Sequence, residues 1–212
     1  AFVGRRSELA TLRRVWGAVV DTWRPQLVII EGPAGIGKTR LVDRFYNDNF
    51  DEVAGIMWGR NRDTTQVAFG ALAEMVQRLV EADPEVIDRL GDRARGLWPL
   101  LPRFAAAATM DDAPSTRELM TESLRALLIE STQGPTIWFV DDLQWASPDV
   151  VSIMESVVDD LAVPVLVIVT ARSVPAAVAV RLGSLQRVLP TTPMKLDALS
   201  IDEVAELLDD ER

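Results

Sequence analysis

The sequence predicts an α/β fold in three layers, a mostly parallel sheet flanked by helices, and three features carry that prediction. Short continuous apolar runs at 27–30, 137–140 and 163–169 suit strands buried on both faces, as parallel sheets require. Between them apolar residues recur at helical spacing, so strands and helices alternate, a pattern that right-handed crossovers turn into a layered sheet. One of the strands runs straight into a glycine-rich turn and then a helix. With 212 residues and 48% hydrophobic content the chain can build one good core, so a single domain is expected.

Taken in order, Ser7 stands where an N-cap is expected, with Glu8 in the first turn. Leu9, Leu12, Val15, Trp16 and Val19 then form one apolar face, predicting a helix that ends near 20–21. Arg5 and Arg6 sit at the unfavourable end of its dipole, which points to a partner such as a nucleotide or a carboxylate, or else to solvated arginines. The strand at 27–30 and the glycine turn follow, and Leu41, Val42 and Phe45 mark the next helix as amphipathic. A second strand is expected at 53–58. The polar stretch 59–63 after it either approaches a ligand from a strand end or simply connects to a helix at 69–82. From 84 to 114 the pattern breaks into short helical pieces (86–90, 94–97 and 104–109) interrupted by Gly91, Gly96, Pro99, Pro102 and Pro114, and reads as a helical insertion. Ser115-Thr116-Arg117-Glu118 is a capping box for a helix to about 130. The strand at 137–140 precedes a helix capped by Ser147, and the strand at 163–170 precedes a short helical piece at 176–185, a further strand at 186–189 and a second capping box at 200–203.

Composition narrows the chemistry. The chain has no cysteine and no histidine, which excludes disulfides, thiolate or imidazole metal ligands and Ser-His or cysteine nucleophiles. Catalysis must run on carboxylates, Lys, Arg, hydroxyls and a bound metal. A net charge of −10 argues against nucleic-acid binding by this segment, because that needs a basic face. No apolar run is long enough to span a bilayer and no signal peptide opens the chain, so the expected location is cytoplasmic, without a membrane partner. The start at Ala1 and the stop at Arg212 within a helical pattern suggest a piece of something longer.

Gly32, Pro33, Ala34, Gly35, Ile36, Gly37, Lys38 and Thr39 fit the pattern G-x-x-x-x-G-K-[ST] between a strand and a helix. Glycines admit positive φ and a close anion, and the helix start adds unpaired N–H donors and the positive end of its dipole. In such a loop the lysine reaches the outer phosphates and the hydroxyl holds Mg²⁺. About a hundred residues later an apolar strand ends in Asp141-Asp142. One such acid helps hold Mg²⁺ and a second orients a water for attack on the γ-phosphate; the alternative is that both merely begin a turn. Arg172, after the strand ending at Thr170, faces the same crevice and can read γ-phosphate oxygens, or is a solvated arginine opening a loop.

Asp141-Asp142-Leu143-Gln144-Trp145-Ala146-Ser147, together with Phe2-Val3-Gly4-Arg5 and the stretch from Gly32 to Thr39, resembles the ATPase module of the STAND class of AAA-like P-loop NTPases. The similarity is closest to the module of large LuxR-type transcriptional regulators and related bacterial signalling proteins, and it covers the chain from residue 2 to about 208. It implies a five-stranded sheet whose Walker A strand (27–30) is separated from the Walker B strand (137–140) by the strand at 163–169. It also implies that Lys38 contacts the β- and γ-phosphates, that Thr39 and Asp141 serve Mg²⁺, and that Asp142 is the water-activating acid. Thr170 and Arg172 look like the family's sensor motif. Val3, Gly4 and Arg5 look like the segment lining the adenine pocket, and Arg40 closes the nucleotide-binding stretch. Residues 1–198 would be the NTPase domain and 199–212 the start of a helical lid. Two departures stand out: the chain stops where that lid begins, and Ser147 stands where the family commonly has an acid.

The expected function is an ATP/Mg²⁺-binding, slowly hydrolysing switch in a larger cytoplasmic signalling or transcription-regulating protein. Expected partners are ATP or ADP, downstream domains of the same longer chain, and a second copy through nucleotide-dependent self-association. The alternatives are a stand-alone kinase of a small molecule, which needs an acceptor pocket and an arginine-rich lid, and a nucleotide-binding scaffold with little turnover.

Overall fold

A computed structural model of the chain describes residues 3–63, 69–101, 114–159, 161, 163–200 and 205. Its five strands are β1 (Gln26–Glu31), β2 (Gly55–Arg60), β3 (Thr136–Asp141), β4 (Val165–Ala171) and β5 (Thr191–Lys195). They form one sheet in the order β2-β3-β4-β1-β5, with every neighbouring pair parallel. β4 therefore lies between β1 and β3, as expected for the strands carrying the glycine loop and the paired acids.

The continuous apolar strands are buried on both faces because side chains alternate across the sheet. Val28, Ile30, Ile137, Phe139, Leu166 and Ile168 point to one side, where α1 (Arg6–Thr22) and α2 (Lys38–Asp48) cover them. Leu27, Ile29, Trp138, Val140, Val167 and Val169 point to the other. There they pack against α3 (Gly70–Ala82), α4 (Val86–Leu90), α5 (Pro114–Ser131), α6 (Pro148–Val158) and α7 (Ala176–Val188), together with a 3₁₀ segment, Gly91–Leu100. The result is a three-layer α/β P-loop fold. β1 and β4 are neighbours whose following helices, α2 and α7, lie on opposite faces, which opens a crevice beyond the carboxyl ends of these strands.

Two glycines set how closely helices approach this frame. A Cβ on Gly59 would lie 1.9 Å from the Ala71 carbonyl oxygen, and one on Gly96 would lie 2.3 Å from that of Leu119. Gly59 thus lets the start of α3 close directly onto β2.

Several sequence expectations need correction. Residues 186–189 are not a strand: residues 186–188 form the last turn of α7, and the fifth strand is Thr191–Lys195. The apolar periodicity of α7 runs on through Leu182, Leu185 and Leu189. β5 contains Pro193, which is tolerated because β5 is an edge strand paired only with β1. β2 starts and ends two residues later than the apolar run indicated. Ser7 does not cap α1: the N-cap position falls on Arg5, in the left-handed region at φ 57°, and the Ser7 hydroxyl donates to Glu8 Oε2 at 2.7 Å. Ser147 occupies the N-cap position of α6 with Pro148 in the first turn, but its side chain makes no capping bond. α5 begins at Pro114, ahead of the expected cap at Ser115, whose side chain is outside the described residues. The helical piece at 104–109, Phe2 and the helix expected after Ser200 also lie outside them, apart from Ala205.

Candidate functional site

The crevice gathers the ends of three central strands and the start of α2. Gly35 and Gly37 adopt φ 75° and 98°, a region glycine enters without steric cost, and this curls the loop so that α2 begins at Lys38. Gly32 is constrained differently. A Cβ there would meet the Leu196 carbonyl oxygen at 2.9 Å, because the Leu196 N–H bonds to the Glu31 oxygen (2.7 Å) and draws the chain after β5 across the loop base. The Gly32 N–H in turn donates to the Ala171 oxygen at 3.1 Å. Pro33, Ala34 and Gly35 are exposed at the loop's outer edge, Ile36 and Gly37 are half-buried, and Arg40, the third residue of α2, is exposed.

Lys38 is buried, and its ammonium donates to the Gly32 and Pro33 carbonyl oxygens at 2.8 and 2.9 Å, so it lies under the loop. Burial pushes this amine below its ordinary value of 10.5; the positive charge of Arg172 adds to that, and Asp142 and Asp141 oppose it. The lysine, both acids and Arg172 therefore share one electrostatic neighbourhood.

Asp141 is the hub. The parallel register of β2 and β3 sets Arg60 opposite Asp141, and that of β3 and β4 brings Thr170 beside it. Asp141 Oδ2 accepts from the Thr39 hydroxyl (3.0 Å) and from Arg60 Nε and Nη2 (2.9 and 2.7 Å). Oδ1 accepts from the Thr170 hydroxyl and, at 3.2 Å, from the Asp142 N–H. The Asn61 N–H donates to the Asp141 main-chain oxygen at 3.0 Å, extending the ladder past β2.

Asp142 follows in the left-handed region, φ 56°, uncommon for a residue other than glycine and the sort of backbone strain found at functional sites. Its N–H also donates to the Thr170 hydroxyl (3.1 Å), and its Oδ1 accepts from Gln144 Nε2 (2.9 Å). Gln144 Oε1 accepts the Arg172 N–H at 3.1 Å, so the ends of β3 and β4 are tied by side chains as well as by the ladder. The Arg172 side chain is exposed.

At the other side of the loop, Gly4 and Arg5 both adopt positive φ, 70° and 57°. Arg5 is not a solvated arginine. It is buried and donates to Glu8 Oε1 (3.0 Å), the Asp197 carbonyl oxygen (2.6 Å) and, at 3.5 Å, the Ile36 carbonyl oxygen. Val3 beside it is half-buried. Burial alone would push the Glu8 carboxyl up, but hydrogen bonds from Ser7 and Arg5 hold it below its ordinary 4.5.

The structure thus gathers Lys38, Thr39, Asp141, Asp142, Thr170 and Arg172 around one crevice and fastens Arg5 to its loop at Ile36, whereas Arg40 is exposed on α2. Sequence reasoning missed the clamp on Asp141. The apolar run ends the strand two residues early, so Arg60 falls in the stretch 59–63, which from sequence either approaches a ligand or simply connects; β2 runs on through Gly59 and places Arg60 opposite the first acid. Asp43, one turn after Thr39, was also passed over: burial and the negative charge of Asp141 raise its carboxyl above its ordinary 3.8, and Arg60 opposes this.

The donor set suits a hard divalent cation between phosphates and protein. A hydroxyl and a carboxylate oxygen 3.0 Å apart are oxygen ligands, and the glycine loop with its buried lysine is shaped for an anion.

No curated protein matches the chain significantly in sequence. Among solved structures it is similar to a STAND protein with a tetratricopeptide repeat sensor from Pyrococcus horikoshii, at TM-score 0.52 and 21% identity over 100% of this chain and 25% of that one. It is also similar to Cdc6p from Pyrobaculum aerophilum, at TM-score 0.61 and 13% identity over 99% of this chain and 51% of that one. A third is the Orc1 protein of Aeropyrum pernix, solved in complex with DNA, at TM-score 0.57 and 14% identity over 99% of this chain and 49% of that one. These likenesses show a common fold, and the chain spans from a quarter to about half the length of those chains. The family model for the AAA ATPase domain matches residues 1–169, most of the chain and every residue of the crevice up to β4, so the protein belongs to the AAA ATPase domain family.

Proposed function

We propose that this chain is the nucleotide-driven switch of a larger cytoplasmic signalling or transcription-regulating protein of the large LuxR type, binding ATP with Mg²⁺ and hydrolysing it slowly. The observation that carries the reading is the contact between the Thr39 hydroxyl and Asp141 Oδ2, which joins the glycine loop to the acid at the end of β3. In this reading residues 1–198 are the NTPase domain, with the insertion at 84–114, and 199–212 begin a helical lid. Among the described residues no helix is long and apolar enough to cross a membrane.

Each residue then has a task set by where it stands. The loop from Gly32 to Gly37 gives backbone N–H groups to the phosphates, and Lys38, released from the Gly32 and Pro33 carbonyls, takes the β- and γ-phosphate oxygens. Thr39 and Asp141 would hold Mg²⁺, which would supply charge neutralisation to the phosphates when bound. Asp142, oriented by Gln144, accepts a proton from the attacking water, and Arg172 meets charge on the γ-phosphate. Arg5 fastens the start of α1 to Ile36 and Asp197, so Val3 and Gly4 border the nucleotide's adenine side next to the chain that leads into the lid. ATP and ADP then favour different arrangements of whatever follows, through their differential contacts.

Phosphate release from Mg-ATP, measured with and without a panel of small hydroxyl and amine acceptors, tests this. A slow release that no acceptor accelerates supports the switch. ADP formation that requires an acceptor and yields the phosphorylated acceptor in place of free phosphate would make the chain a kinase.

A further inference from the structure

Asp141 is saturated. Its two oxygens accept five hydrogen bonds, two on Oδ1 from Thr170 and the Asp142 N–H and three on Oδ2 from Thr39 and the Arg60 fork. A carboxylate offers about four lone-pair sites. A cation ligated by Oδ2 therefore needs a direction that one of the present donors covers. Thr39 shares the cation's coordination and stays; the two guanidinium N–H groups do not. A guanidinium fork and a divalent cation on the same oxygen also repel each other.

Arg60 is built to leave. The Asp141 side chain is only 2% exposed, whereas that of Arg60 is 39% exposed. It lines a cavity of about 690 Å³ together with Glu74, Gln77, Arg78 and Trp145, so there is room for it to turn. The cavity also holds a second carboxylate that Arg60 can share with Arg78: Glu74 Oε1 accepts from Arg78 Nη2 at 2.8 Å, and its Oε2 accepts the Arg60 main-chain N–H at 3.0 Å.

We propose that Arg60 and a divalent cation compete for Asp141 Oδ2: the guanidinium neutralises the buried acid by itself, and binding of the cation sends Arg60 into the cavity towards Glu74. Arg60 is thus a positioning residue that sets how readily the site takes its metal. The inference rests on the reading of Thr39 and Asp141 as the metal-holding pair. It makes metal affinity conditional: with the fork in competition, the cation gains its place chiefly when nucleotide phosphates supply further ligands.

The test is equilibrium binding of a fluorescent ADP to this chain, in excess Mg²⁺ and in EDTA, for the parent, Arg60→Gln, Arg60→Lys and Asp141→Asn. The quantity read is the ratio of the two affinities, the gain due to Mg²⁺. A purely structural role for Arg60 lowers both affinities and leaves the ratio unchanged. Competition raises the ratio about tenfold in Arg60→Gln, corresponding to ~1.4 kcal/mol, and less in Arg60→Lys, which keeps the charge without the fork. Asp141→Asn brings it close to one. A ratio in both Arg60 variants equal to or below the parent's, with Asp141→Asn still abolishing the gain, overturns the competition and leaves the metal-holding pair standing. A parental ratio in Asp141→Asn overturns both. Should Arg60→Gln fail to fold by circular dichroism, Arg60→Lys decides alone.

Discussion

Replacing Arg5 by alanine tests how the nucleotide loop is held in place. The Arg5 side chain is 9% exposed and donates to Glu8 at 3.0 Å and to the Asp197 carbonyl oxygen at 2.6 Å; the Ile36 contact at 3.5 Å is at the edge of bonding range. A hydrogen bond to or from a charged group contributes about 1.5–3 kcal/mol, and truncating one partner also leaves the other unsatisfied. Two such bonds, discounted because Glu8 keeps some access to water, put the loss at about 3 kcal/mol. For a chain of this size each kcal/mol moves the midpoint by roughly 2–4 °C, so thermal unfolding followed by circular dichroism without nucleotide falls by about 6–12 °C. Arg5→Lys, which keeps the charge and loses the fork, falls by less. A midpoint lowered by under about 2 °C, with nucleotide affinity nonetheless collapsing, would show that Arg5 acts on the ligand and not on the frame, and the structural account of this residue would be wrong.

Other outcomes follow from the same geometry. Gly59→Ala forces a Cβ to within 1.9 Å of the Ala71 carbonyl, which only a shift of α3 from β2 can relieve. Its cost is about 3 kcal/mol or more, and an unchanged urea midpoint would refute the close approach. Glu8→Gln destabilises at pH 7, because the carboxyl's folded-state value lies below 4.5 and its stabilising effect is present above that value. The difference from the parent shrinks as pH falls below 4.5 through the folded-state value, and a difference that instead grows on acidification contradicts the assignment. Asp142→Asn keeps Mg-ATP affinity within a few-fold and slows phosphate release by about a hundredfold or more, the scale of a lost general base. Full-rate hydrolysis by this variant would remove Asp142 from the proposed role.

The centre of the fold was legible from residues because its strands are buried on both faces. Runs such as Val165–Ala171 have no polar alternation to blur them, and the glycine loop and the acids at strand ends name the crevice. The sheet's outer strands were harder. β2 contains Gly55 and Gly59 and ends in Arg60, so apolarity alone places its end too early and hides the arginine opposite Asp141. β5 is an edge strand with a proline and exposed Lys195, whereas residues 186–189 just before it look more strand-like although 186–188 are the last turn of a helix. The Ser7 cap failed for a similar reason. Intrinsic capping preference is worth about 1 kcal/mol, less than the tertiary bonds that fix Arg5 in a left-handed turn and start the helix there. Contacts between distant segments, such as Arg5 with Asp197 or Arg60 with Asp141, leave no periodic trace in a sequence.

The central claim is that the loop from Gly32 to Thr39 holds the phosphates of Mg-ATP through Lys38. Equilibrium binding of Mg-ATP to the parent and to Lys38→Ala, both shown to be folded by circular dichroism, tests it most directly. Loss of a charged donor to phosphate predicts an affinity lower by ten- to a hundredfold, on the order of 1.5–3 kcal/mol. Equal affinity of the two proteins would contradict the claim.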